Sequence, residues 1–211
     1  MYLVTLVVGV LLLSNDLLSA NALKCFECVP GTSETCIDTA KECPSPNNLC
    51  AAMRLVTYAG ASKDKEIKAK MCALRGDCIR GSVNFGSDKT VIVSECCSSE
   101  LCNIQHASEP NFVPNGKKCF SCEGNQCMKT LNCDGDQDYC IKSTINVGGE
   151  VQTLKGCASK IMCSENPSVL FQNYIGLGSS CCQGDYCNSA SSASAGLLLL
   201  PTSLLFLVLF T

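Results

Sequence analysis

Apolar and polar side chains alternate along Ile141 to Val147 (IKSTINV), the period of a strand with one buried face. Gly148-Gly149 interrupts the alternation and Val151 to Lys155 (VQTLK) resumes it, so this stretch predicts a hairpin with a tight glycine turn. Ala51 to Tyr58 (AAMRLVTY) and Glu66 to Ala73 (EIKAKMCA) flank a turn-like Ala59-Gly60-Ala61-Ser62 and predict a second hairpin. The β-branched run Thr90 to Ser94 (TVIVS) predicts a further strand. No segment sustains helical periodicity, so the expected class is all-β.

Two unbroken apolar runs stand outside this pattern. Leu3 to Leu13 has the length of a signal-peptide core, and Ala20-Asn21-Ala22 supplies a small-x-small cleavage site, although no Lys or Arg precedes the run. Residues 1–22 are therefore expected to be a secretory signal; the run is too short to cross about 30 Å of hydrocarbon. Leu197 to Thr211 is 15 residues long with no basic flank, and the small, polar stretch NSASSASAG (Asn188 to Gly196) precedes it. Small residues, a polar spacer and a terminal apolar tail form the signal for a glycosylphosphatidylinositol anchor. Asn188 is the expected attachment residue, with Ser189, Ala190 and Ser191 competing, and 189–211 would be removed. The expected location is the outer leaflet of the plasma membrane.

All 20 cysteines lie between Cys25 and Cys187, a density typical of disulfide scaffolds. They form two sets of ten. Cys25, Cys28, Cys36, Cys43, Cys50, Cys72, Cys78, Cys96, Cys97 and Cys102 are matched by Cys119, Cys122, Cys127, Cys133, Cys140, Cys157, Cys163, Cys181, Cys182 and Cys187. Several intervals agree, and both sets end Cys-Cys-x4-Cys-Asn, so one unit is duplicated in tandem. The expected domains are 23–104 and 118–188, with 105–117 (QHASEPNFVPNGK), rich in proline and glycine, as a linker. Units this small make thin apolar cores and depend on cross-links.

Adjacent cysteines cannot easily bridge each other, because the ring would be strained. On a strand they point to opposite faces, so Cys97 can close the short loop to Cys102 while Cys96 reaches back to Cys78. Spacing alone leaves very many pairings open. Leu23-Lys24-Cys25-Phe26-Glu27-Cys28 at the start and Cys-Cys-x4-Cys-Asn at the end resemble the urokinase-receptor and lymphocyte-antigen-six family, whose LU domains have the three-finger fold. The resemblance implies the bridges Cys25–Cys50, Cys28–Cys36, Cys43–Cys72, Cys78–Cys96 and Cys97–Cys102. In the second unit it implies Cys119–Cys140, Cys122–Cys127, Cys133–Cys157, Cys163–Cys181 and Cys182–Cys187, with a first finger that is short at Cys122–Cys127. It also implies a structural role for Asn103 and Asn188. The expected architecture is two tandem three-finger domains. The layout is also similar to the gamma-type phospholipase inhibitors.

Candidate chemistry is sparse. The single histidine, His106, falls in the linker, so no base accompanies a cysteine nucleophile. Cys-x-x-Cys could hold zinc, but secretion and adjacent cysteines favour disulfides. Asp134-Gly135-Asp136-Gln137-Asp138 resembles part of a calcium loop without its later glutamate and reads as a solvated acidic turn. Loss of Asp16 with the signal takes the net charge from −3 to −2, and no block of like charge suggests nucleic acid. No cofactor is expected. The expected function is non-enzymatic: a cell-surface, receptor-like module holding an extracellular protein ligand. The alternative is an inhibitor of a secreted enzyme. Lys63 to Lys70 is the most basic short stretch, so Tyr58, Lys63, Lys65 and Lys68 are the candidate partner contacts, against a plain reading as a solvated hairpin.

Overall fold

The computed structural model describes residues 22–31, 36–164 and 175–189. The expected signal segment up to residue 21, the apolar tail, and the candidate anchor residues Ala190 and Ser191 lie outside the described residues. Among the described residues, no helix is long and apolar enough to cross a membrane.

Each unit is built from antiparallel hairpins. In the first, β1 (Lys24–Glu27) pairs with β2 (Thr39–Glu42), and β3 (Leu49–Ala59) with β4 (Ser62–Ala73). The third finger is β5 (Arg80–Asn84) with β6 (Asp88–Cys97). In the second unit, β7 (Pro114–Glu123) pairs with β8 (Gln126–Asp134), and β9 (Tyr139–Val147) with β10 (Glu150–Ala158). The last strand, β11 (Leu177–Cys182), adds to β9. The three strand-rich stretches read from the sequence all lie in these strands. Gly60 and Gly148 take positive φ at the two hairpin tips, where a Cβ would be strained. The Cys122–Cys127 bridge crosses the tip of the β7–β8 finger around Gly124-Asn125, so this finger ends at its own cross-link.

The structure joins all 20 cysteines in ten bridges, pairing first with fifth, second with third, fourth with sixth, seventh with eighth, and ninth with tenth in each unit. At the base of the first unit, the sulfurs of Cys25 and Cys43 lie 3.2 Å apart, so two bridges stack on each other. Cys119 and Cys133 repeat this stack at 3.5 Å. These buried sulfurs are the interior of each base. An asparagine closes the end. Asn103 accepts from the Phe26 N–H at 2.9 Å and donates to the Phe26 and Ala51 carbonyls. Asn188 does the same with Phe120 and Ile141, all at 3.0 Å. One residue before the last cysteine, Leu101 and Tyr186 take positive φ and aim their N–H groups at the Lys24 and Lys118 carbonyls. The duplication thus extends to individual hydrogen bonds.

The units are not separate beads. One seven-stranded sheet runs β11-β9-β10-β5-β6-β3-β4, crossing from second unit to first where β10 pairs with β5. That pairing is only two residues wide, Cys157 opposite Asn84 and Ala158 opposite Val83. Side chains complete it: Val83, Phe85 and Ile92 pack with Ile141, Ala158, Met162 and Ile175 in one buried cluster. Two glycines permit the approach. A Cβ on Gly156 would collide with the Asn84 carbonyl, and one on Gly81 with Ile161.

The stretch 105–117, expected to be a linker, is largely exposed but pinned to the first unit's sheet at several points. Ala107 is fully buried against Ala52, Val91 and Val93, and β7 already begins at Pro114. Its carbonyl accepts from Arg54 Nε at 2.7 Å, and Arg54 also pairs with Glu66 at 2.7 Å and Glu109 at 2.8 Å. A guanidinium this deeply buried needs such partners, because leaving it unpaired would cost several kcal/mol, roughly 3–5. Ser108 caps Glu95 and Phe112 stacks edge-on to Tyr58, fixing the strap across the sheet.

Two outcomes test this account. Gly156→Ala should destabilise the protein by about 1–3 kcal/mol through overpacking. Gly76→Ala, where an added Cβ meets nothing within 4 Å, should stay within about 0.5 kcal/mol of wild type. Thermal unfolding of the two secreted variants reads the difference, and equal midpoints would remove the seam's dependence on Gly156. The second concerns the bridges. Cys43–Cys72 closes 29 residues and Cys97–Cys102 only 5, which in the chain-entropy account favours the longer loop by about 1.5 kcal/mol. Replacing Cys43 and Cys72 together by alanine should lower secretion more than replacing Cys97 and Cys102 together; equal secretion would contradict it.

Candidate functional site

The candidate contact residues of the second finger fall into two environments. Tyr58 does not stand free at the tip: its ring meets Phe112 at 5.2 Å between centroids, and partial burial raises its phenol pKa above the ordinary value. Lys63 hydrogen-bonds Glu66 at 3.3 Å, which raises its pKa, and lies 3.7 Å from Glu109. Lys68 lies 3.7 Å from Glu66. The basic stretch therefore descends β4 from the tip, and much of its charge is matched inside the fold by the acids around Arg54. Lys65 is exposed and, among the described residues, outside any ion pair. Across the molecule, the tip of the β9–β10 finger presents Val147 at 51% and Val151 at 73% exposure beside Glu150.

The acidic turn is only in part the solvated loop expected: Gly135, Asp136 and Asp138 are exposed, but Asp134 and Gln137 turn inward. Asp134 pairs with Lys89 at 2.7 Å, and the same ammonium sits 3.9 Å above the Phe112 ring. Gln137 is fully buried, donating to Ser82 Oγ at 2.9 Å and accepting from the Asp134 N–H. Desolvation raises the carboxyl pKa of Asp136. These side chains dock the second unit on the first, and their use as hydrogen-bond partners explains their position in the turn. His106 is exposed in the strap, its pKa lowered by desolvation and by Lys70 and Lys68 nearby. The sulfurs of Cys25, Cys43 and Cys72 lie together, as do those of Cys119, Cys133 and Cys157, but each is already bonded in a stacked disulfide.

Two residues that the sequence did not single out individually are Lys70, the last of the basic stretch, and Lys155. Each stands two positions before the sixth cysteine of its set, and each is buried, at 2% and 6% exposure. Lys70 Nζ donates to Asp38 at 2.5 Å and to the Ile104 carbonyl at 2.6 Å, the residue after Asn103. Lys155 Nζ donates to the Ser189 carbonyl, the residue after Asn188, and more weakly to the Cys127 carbonyl at 3.5 Å. The signal was present in the aligned repeats, as a lysine shared at one interval from a shared cysteine.

The bridge pattern and the asparagine closure are matched in known proteins. Residues 21–105 match the u-PAR/Ly-6 domain family, and residues 118–188 the snake toxin and toxin-like protein family. The urokinase plasminogen activator surface receptor of Rattus norvegicus is 27% identical over 187 residues, 82% of this chain and 57% of its own length. That of Mus musculus is 27% identical over 185 residues, 82% of this chain and 56% of its own. This chain thus spans little more than half the length of those relatives. The human protein lymphocyte antigen 6H is 31% identical over 93 residues, 40% of this chain and 64% of its own. A crystal structure of mouse TEX101 covers 79% of this chain and 97% of its own, at 16% identity and a TM-score of 0.28, too low to compare how the units are arranged. Each unit is thus matched over nearly its whole length, the first by the u-PAR/Ly-6 domain and the second by the toxin-like domain, and the chain is two tandem three-finger domains.

Proposed function

We propose that the chain is a non-enzymatic, receptor-like binding module, held on the outer leaflet of the plasma membrane by a glycosylphosphatidylinositol anchor and recognising an extracellular protein. The observation that carries this reading is the sheet running through both units. It fuses two three-finger domains into one surface, while every cysteine is consumed in a disulfide. Finger tips and edges then vary without cost to the fold, which is where binding residues concentrate. The relatives named surface receptors support the same reading.

On this reading the proposed domains are 23–104 and 118–188, with 105–117 as the strap between them. Lys65 and the exposed Val147 and Val151 are the contact chemistry left over once folding has used the rest. Tyr58 and Lys63 act through the strap instead, and a variant at either disturbs Phe112 or Glu109 first. Rim charges such as Lys65 mainly change association rate and its salt dependence.

Asn188 as attachment residue is compatible with its buried side chain. The anchor takes the main-chain carbonyl carbon, while the side-chain amide keeps its bonds to Phe120 and Ile141.

Phosphatidylinositol-specific phospholipase C should release the intact chain from the cell surface, and truncation after Gly196 should give a secreted protein. Retention on the surface after either would overturn the anchor. For recognition, the soluble chain ending at Ser189 should capture a surface or secreted protein partner by crosslinking. Val151→Asp should weaken that capture without lowering secretion; unchanged capture moves the contact away from the β9–β10 tip.

A further inference from the structure

The two units are copies down to their hydrogen bonds, so a difference at a matched position is informative. Lys70 and Lys155 occupy such a position. In both units the buried ammonium bonds the carbonyl of the residue following the closing asparagine. In the first unit Asp38 supplies the balancing charge. In the second, the first finger offers only the Cys127 carbonyl at 3.5 Å. Lys142 lies directly across the strand pair, adding positive potential rather than relieving it. Burial and Lys142 accordingly lower the Lys155 pKa, and among the described residues no carboxylate contributes. A buried cation without an anion is costly, and its retention calls for a compensating group.

We propose that this group is the phosphate of the anchor's ethanolamine phosphate, and that Lys155 is its docking cation. The inference rests on the anchor reading above, with attachment at Asn188. Attachment exchanges one amide for another. The ethanolamine amine takes the Asn188 acyl group, the Asn188–Ser189 peptide bond breaks, and the 189–211 segment leaves with the amine proton. The Ser189 carbonyl that Lys155 holds is then gone. Atom count shows what replaces it. In serine the chain reads N, Cα, C, O; in ethanolamine phosphate it reads N, C, C, O, P. The phosphoester oxygen falls where the carbonyl oxygen was, and the charged oxygens lie two bonds further on. Lys155 thus exchanges a neutral acceptor for a charged one, and charge-assisted hydrogen bonds to phosphate are the stronger kind. The second unit acquires on processing the ion pair that the first unit encodes as Asp38.

The test uses the full chain expressed on cells and released by phosphatidylinositol-specific phospholipase C, which leaves the ethanolamine phosphate attached. Mass spectrometry of the carboxyl-terminal peptide should place the anchor on Asn188. In 31P spectra at neutral pH, the phosphate bound to the protein should be displaced in wild type and in Lys155→Arg. In Lys155→Met it should move toward the position seen after complete proteolysis of the same sample. Phosphates further along the glycan should stay put in all three and serve as the internal reference. If Lys155→Met is not secreted, Lys155→Gln takes its place. An identical protein-linked resonance in wild type and the uncharged variant overturns the proposal, as does attachment at Ser189 or beyond. No release by the phospholipase overturns the anchor reading itself, a distinct result.

Discussion

The stacked disulfides at the base of each unit are the constraint from which the rest follows. Cys25–Cys50 and Cys43–Cys72 lie sulfur against sulfur, as do Cys119–Cys140 and Cys133–Cys157. Domains this small cannot bury enough apolar surface to hold three long hairpins at one end. Cross-links replace that surface, and the asparagine amides of Asn103 and Asn188 then satisfy the carbonyls left open where chain start and chain end meet. With the bases locked, the fingers need little internal stabilisation of their own, which leaves polar and charged side chains along β4 and β8 free to be chosen for other reasons.

The second level of organisation is the seam. Its backbone pairing is narrow, so affinity between the units comes from the apolar cluster around Ile92 and Ile141, with Ser82, Gln137, Lys89 and Asp134 fixing orientation. The strap from Ala107 to Phe112 lies across the same sheet and ties Arg54 and Tyr58 to it. These side chains are thereby used in joining the two copies.

Much of the fold was legible in the sequence, and the parts that were not share a cause. Alternation along Ile141 to Val147 and the Gly148-Gly149 dipeptide marked the β9–β10 hairpin because strand period and turn chemistry are local. Cysteine intervals exposed the duplication for the same reason. Pairing of β10 with β5 is not local, and Gly81 and Gly156 look like ordinary strand glycines until the facing atoms are known. The strap illustrates the limit on composition: proline, glycine and polar residues read as a linker, yet Ala107 is fully buried because its neighbours bring Arg54 to it. At the candidate site, the charges of Lys63 and Lys68 were visible, but their acid partners come from Glu66 on the same hairpin and Glu109 some forty residues on. Lys155 was invisible as a motif and emerges only from laying one copy on the other.

The shared cluster at the seam also bears on how such a protein can change by descent. A tandem array of independent beads can gain or lose a member without harm to those remaining. Here, deletion of either copy would bare Val83, Phe85 and Ile92 or Ile141, Ala158 and Met162 to water. Fusion through a common interior has made the duplication hard to reverse, so its halves are expected to diverge together rather than be shuffled apart.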